Sequence, residues 1–577
     1  MVRILVVLLA VATLTLLAGC SENKNTATIS DKSANAVRVL TKEERSDDFD
    51  QLLKIFKNFY GPYQLKEKNL KISIEKLVQE FKEKSLVAQT DEEFMSYVMQ
   101  FGATLHDGHV QFVIEHSASN ILRYRIPILL TPIEGKAIVG DVDKELSSVY
   151  KIAVGDEVIA IDGKTPSEIM AIGAKYRHAG RDLTDTHFHM AMGTSRLSYM
   201  TDLIPKSPLA AIKFKTASSE QTVTVEIPWQ TEKYVSNLDN LVKQASPFNL
   251  ALDLSVPYVD DFNSQVNGHR GQMGQVNPVF LTPEVLKKYN FIKVYPSDAA
   301  RLKFGLAEKE TPPIYAALYK FSGKTILLVR QATYHPEDFK PALYMKAYMA
   351  LISEYQDLAD VLVLDQTHNP GGSYCAEFYN LFANEGDVQS VEDVRADRKW
   401  INDLYVNWPA EEGPTGNPWE LKLIQSWGRI VEKAYDEGRF LSEPFPLFVG
   451  TNYATRKEAN WKKPMLVLID ELAGSCGDMF PMLVKANKRA QLFGQNTMGL
   501  GGNVEQVGQL NNSRIQVKLT RGLFHPYRAD GAYVPSDLIE NNGVAPDIEY
   551  AHTVKDFRAG YVDYVKAFSE KAVEQIK

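Results

Sequence analysis

Met465-Leu466-Val467-Leu468-Ile469-Asp470-Glu471-Leu472-Ala473-Gly474-Ser475-Cys476-Gly477-Asp478 is the stretch on which the reading of this 577-residue chain turns. Five consecutive apolar residues predict a strand buried on both faces, as in an α/β sheet flanked by helices. The apolar run Met479 to Val484 continues as a helix, so Ser475 falls at a strand-to-helix turn. Free N–H groups and the dipole favour an anion at such a helix N-terminus. A tetrahedral oxyanion there would draw on the Cys476 N–H. The plain alternative is a serine N-cap.

Working outward, residues 325–577 alternate strand and helix. Ile326-Leu327-Leu328-Val329 and Val361-Leu362-Val363-Leu364 are further buried strands, and a helix is predicted from about Pro341. The second strand leads through Asp365 into Asn369-Pro370-Gly371-Gly372. Paired glycines let a backbone approach a ligand closely, so Gly371 or Gly372 is a candidate second oxyanion donor, against a simple β-turn. Residues 385–463 interrupt the core with an aromatic-rich, partly helical insertion, whose Trp408, Trp419, Trp427 and Phe445 read as its own core.

On the N-terminal side, residues 41–125 form a helical region. Phe49, Leu52, Leu53, Phe56 and Tyr60 recur at helical spacing, as do Ile74, Leu77, Val78 and Phe81. Thr90 and Glu93 predict a capping box ahead of a third stripe, Phe94 to Leu105. His109 follows that helix and opens a strand with Val110, Phe112 and Ile114. An imidazole titrates near neutrality and so suits the base that a serine nucleophile needs. Residues 126–230 are β-rich, with a strand within Val154–Gly163 and a hairpin of 210–214 with 223–227; a long polar segment, about 165–208, separates the two. Residues 231–324 read as an insertion, with a lid as its functional alternative.

Residues 1–20 are a separate object. Arg3 precedes the apolar run Ile4 to Ala18, too short for a membrane span and right for a signal peptide. It ends in Leu17-Ala18-Gly19-Cys20, which resembles the lipobox of bacterial lipoproteins and implies lipid attachment at Cys20. Ser21 follows, and by resemblance to the enteric sorting rule it implies outer-membrane delivery. Residues 21–40 are polar and predict a flexible tether. The charge of −8 gives no basic face for nucleic acid.

Taken in order, these motifs resemble the C-terminal-processing and tricorn-type (tail-specific protease-like) serine peptidase family. The matching pieces are Asp107-Gly108-His109, a PDZ-like core from Gly155-Asp156 to Asp162-Gly163, Asp365 through Gly372, and Ser475 to Asp478. Gly494-Gln495-Asn496-Thr497-Met498-Gly499 and Glu540-Asn541-Asn542-Gly543-Val544-Ala545-Pro546-Asp547 complete the set. Leu500 stands where the processing branch carries its lysine base, and Thr367 where the family has arginine. The resemblance therefore points to the tricorn-like branch with Ser-His-Glu. It implies Ser475 as nucleophile, His109 as general base and Glu540 as the nearby carboxylate.

The implied fold is an α/β catalytic core, crotonase-like with a mixed sheet and helices, plus the N-terminal helical region and a β-rich PDZ-like domain. The implied function is hydrolysis of peptide bonds through a serine acyl-enzyme in the cell envelope, acting on a peptide or protein substrate without a cofactor. The alternative is an inactive member that binds peptides or apolar ligands. His106 and His109 with His187 and His189 match no zinc spacing, and no metal is expected. Cys375 and Cys476 read as two small buried hydrophobes, although export would permit one disulfide.

Overall fold

The computed structural model describes residues 39–114, 121–233, 276–306, 314–335, 341–412, 418–447, 459–527 and 537–576. The leader with Cys20, the tether up to residue 38, and residues 234–275 and 307–313 of the 231–324 insertion lie outside the described residues; the rest of that stretch is no mere insertion, since Ile292–Lys293 and Tyr315–Phe321 are strands of the central sheet.

At the centre is a seven-stranded sheet in the order Ile292–Lys293, Tyr315–Phe321, Lys324–Arg330, Val361–Asp365, Met465–Ile469, Gln491–Gly494, Ile548–Glu549. The first three strands pair antiparallel; from Lys324–Arg330 onward all neighbours are parallel. Val361–Asp365 and Met465–Ile469 are buried at every position. One face packs on the helices Pro341–Tyr355 and Cys476–Ala486 through Tyr348, Leu351, Phe480 and Leu483; the other packs on the C-terminal helix through Val565 and Phe568. Burial on both faces is what makes the runs continuously apolar.

Four helices, Lys42–Phe59, Tyr63–Leu70, Ile74–Ser85 and Asp91–Ala103, make the N-terminal region. Their apolar stripes close on Phe49, Phe56, Val78 and Phe101, together with Val517 and Leu519 of the core strand Ile515–Thr520. That strand pairs antiparallel with Gln111–Ile114 and so ties the segment after His109 to the core. Thr90 caps its helix, but the Glu93 carboxylate accepts from Gln89 N–H instead of Thr90, so the expected box is only half formed. Full boxes form at Thr41–Glu44 and Thr165–Glu168.

A five-stranded antiparallel sheet, Ile128–Ile133, Lys136–Val142, Glu157–Ile161, Leu209–Lys215 and Thr222–Pro228, makes a third layer with its own core. The polar segment within it is far from irregular. It forms the helices Pro166–Gly173 and Asp182–Ala191, and residues 192–200 are buried. Arg196 makes this burial tolerable by donating to the carbonyls of Met192, Gly193 and Leu203. The 385–463 insertion packs around Trp400, Trp427 and Phe445. Leu40–Lys577 forms one folded unit.

Candidate active site

Parallel pairing places three loops at one edge of the sheet. Leu364 pairs with Val467 and Ile469 with Gly494, so the chain leaves all three strands on the same side, into 366–372, 470–475 and 495–501. Carboxyl ends of parallel strands are where open α/β sheets bind ligands.

Ser475 stands at the start of the helix Cys476–Ala486 with φ 56° and ψ −116°, a region that favours glycine. Such strain persists only where neighbours over-determine it. Here Gly474 N–H donates to the Asn369 carbonyl at 2.9 Å, and Ser475 N–H donates to Asp478 Oδ2 at 2.8 Å. Asp478 also accepts from Gly499 N–H (2.9 Å), Leu500 N–H (3.0 Å) and the Thr497 hydroxyl. Burial pushes the Asp478 carboxyl up to about 7, against the pull of those donors.

Asn369 is fully buried. Its side-chain oxygen accepts Gly371 N–H at 2.9 Å, and its amide donates to the Gln331 carbonyl. Gly372 has φ 134°, and any Cβ there would strike the Tyr334 backbone. Arg330, on the neighbouring strand, pairs with Asp365 at 3.2 Å and donates to the Thr367 carbonyl, so a cation serves this loop although Thr367 itself is neutral. His368 N–H donates to Asp470 Oδ1 at 2.8 Å, and its ring pairs with Oδ2. Burial lowers that imidazole, but the Asp470 charge more than compensates and holds it above its ordinary value.

His109 is fully buried. Its backbone N–H donates to Asp107 Oδ1 at 2.9 Å; Oδ2 accepts from the Tyr60 and Thr520 hydroxyls, each at 2.8 Å. Asp107 therefore fixes the backbone at His109. Leu500 joins this loop to the serine: a Cβ on Gly108 would lie 2.6 Å from its Cδ2, and one on Gly474 3.1 Å from its Cδ1. One leucine thus fills the space between the residue before His109 and the residue before Ser475. Glu540 Oε2 accepts Gly501 N–H at 3.1 Å, one residue past Leu500, while Oε1 pairs with Lys66. Burial, reinforced by the Asp107 charge, drives the Glu540 carboxyl upward.

Cys375 and Cys476 are joined in a disulfide, which corrects the expectation of two separate thiols. The bridge ties the segment after Gly372 to the residue after Ser475. Several side chains here carry no local sequence signal. Lys66 comes from the helix Tyr63–Leu70, and His187, from Asp182–Ala191, reaches Glu471 at 2.6 Å. The four histidines weighed for metal do not group together; His178, Asp185 and His189 do.

Residues 337–550 match the peptidase family S41 and residues 123–237 match a PDZ domain, so the chain carries a family S41 serine peptidase domain with a PDZ domain. Among particular proteins, one from Chlamydia pneumoniae is 26% identical over 509 residues, covering 80% of this chain and 79% of its own. Another, from Chlamydia muridarum, is 27% identical over 479 residues, covering 74% and 75%. The crystal structure of mature CPAF superposes with a TM-score of 0.70 at 21% identity, covering 93% of this chain and 98% of that one. At that identity the likeness to CPAF is one of fold.

Proposed function

We propose that this protein is a serine endopeptidase that cleaves peptide bonds through an acyl-enzyme on Ser475. The observation that carries the reading is the left-handed backbone of Ser475 at a strand-to-helix junction, packed through Leu500 against the loop that ends in His109. His109 takes the hydroxyl proton as Ser475 Oγ attacks the carbonyl carbon, and returns it to the leaving amine. Cys476 N–H, in the first helical turn, is one oxyanion donor. Gly371 N–H is already held by the Asn369 side chain, which favours Gly372 N–H as the second. Glu540 supplies negative charge beside the base. Water then releases the acyl group. The PDZ-like region has no Gly-Leu-Gly-Phe loop, which favours internal cleavage over strict recognition of free C-termini.

The enzyme works at the bacterial cell envelope, held by lipid on Cys20 and delivered to the outer membrane. The leader motif supports this reading, as does the disulfide, since such bonds persist in oxidising compartments. Radiolabelled palmitate incorporated by the wild type and lost in Cys20→Ala is the expected result; incorporation by the variant overturns the anchor.

The site is tested by labelling the purified protein with a fluorophosphonate and mapping the adduct by mass spectrometry. The adduct falls on Ser475 and disappears in Ser475→Ala and His109→Ala. A folded wild-type protein that takes no label overturns the reading.

A further inference from the structure

His178, Asp185 and His189 take no part in the chemistry above, yet their ligand atoms all lie within 4.8 Å of one another. Asp185 and His189 are four residues apart on the helix Asp182–Ala191, so both side chains share one face. His178 comes from the turn before that helix. Backbone groups orient two of the three. His189 Nε2 donates to the Arg177 carbonyl at 2.5 Å, which leaves the lone pair on Nδ1. Asp185 Oδ1 accepts Ala179 N–H at 2.5 Å, which leaves Oδ2 facing His178 Nδ1 at 2.8 Å. Hydrogen bonds of this kind, behind an imidazole and a carboxylate, are the outer shell that metal ligands carry.

The spacing agrees. Donors bound at about 2.1 Å to one zinc-like ion sit roughly 3.0–3.4 Å apart for angles between square and tetrahedral. The His178–Asp185 pair need open by only a few tenths of an ångström. His178 stacks on His106 with centroids 4.1 Å apart, and its side chain is 22% exposed, which gives an ion a way in.

We propose that His178, Asp185 and His189 bind a divalent transition-metal ion of the zinc class, with water completing the shell. Two nitrogens and one carboxylate oxygen suit zinc, cobalt or nickel better than calcium or magnesium, which take mainly oxygen donors. Through the His106 stack and the packing of Ala179 on Gly108, the ion braces the loop that leads to His109. The site stands whether or not Ser475 is reactive.

The test is a titration of chelator-treated, purified full-length protein with Co²⁺, read by visible d–d absorption and by calorimetry, followed by competition with Zn²⁺. One equivalent binds with a Kd of about 1 μM or tighter, and Zn²⁺ displaces it. Asp185→Asn and His178→Ala each weaken binding about tenfold or more, with far-UV circular dichroism unchanged. His178→Ala alters a partly exposed side chain, so it keeps the test decisive if the buried variant misfolds. Absence of saturable binding, or wild-type affinity in the folded variants, overturns the proposal.

Discussion

Lys66 and Glu540, 474 residues apart in the chain, pair inside the protein with 0% and 1% of their side chains exposed. Lys66 Nζ also donates to the His106 carbonyl at 2.8 Å and to Asn541 Oδ1 at 2.5 Å. Removing one member of a buried pair leaves the other charge uncompensated, at about 3–5 kcal/mol. Lys66→Met therefore lowers unfolding stability by that amount in urea titration. The double variant Lys66→Met/Glu540→Gln recovers part of it. A single variant as stable as wild type contradicts the assignment.

Gly477 separates the serine helix from the Asn369 loop, because a Cβ there would run into the Asn369 carbonyl oxygen. Gly477→Ala pushes the loop away and misplaces the oxyanion donor proposed there. The expected loss in kcat is about 10²–10³, against a stability cost of about 1–3 kcal/mol. Peptide-cleavage kinetics beside a thermal melt separate the two effects.

The Cys375–Cys476 bridge closes a loop of 101 residues. Its loss costs about 2–5 kcal/mol, mainly by freeing the unfolded chain. Calorimetry with and without reductant, and on Cys375→Ala/Cys476→Ala, shows the same downward shift in Tm. A transition that ignores both treatments would falsify this account.

Glu392 sets a pH dependence. It is fully buried, and burial raises its carboxyl from about 4.5 to about 8, although Oε1 accepts Asn503 N–H at 2.8 Å. The folded state binds this proton more tightly than the unfolded state. Its contribution is complete below about 4.5 and is lost as pH rises through about 8, on the order of a few kcal/mol. Glu392→Gln keeps the acceptor and removes the titration. Urea unfolding at pH 5 and pH 9 shows a smaller decline in the variant than in the wild type.

What could be read from sequence followed the range of the interaction. Met465–Ile469 and the helix after Ser475 were legible because burial on two faces writes itself as an unbroken apolar run. Asp91–Ala103 was legible from its stripe and Thr90. The helices within 165–208 were not, because their polar residues are satisfied at a distance: Arg196 by three carbonyls, and Thr184 by the Glu471 carbonyl at 2.8 Å. At the site, the loops at Asn369 and Ser475 could be aligned from two strands, but Lys66 and Asp478 gave no signal. A lysine inside an ordinary amphipathic helix and an aspartate in a first helical turn look like solvent-facing charges until partners hundreds of residues away, or across a neighbouring loop, are known. The cysteine pair could be raised but not settled from sequence, since only the parallel register brings residues 375 and 476 together.

The helix Asp182–Ala191 has a mechanical consequence. It lies within the stretch that matches a PDZ domain, yet His187 and Thr184 fasten it to Glu471, four residues before Ser475, and Arg181 at its head donates to the Asn542 carbonyl at 2.8 Å. Three contacts to two separate core segments leave this stretch little freedom to swing away from the strand-end loops it touches.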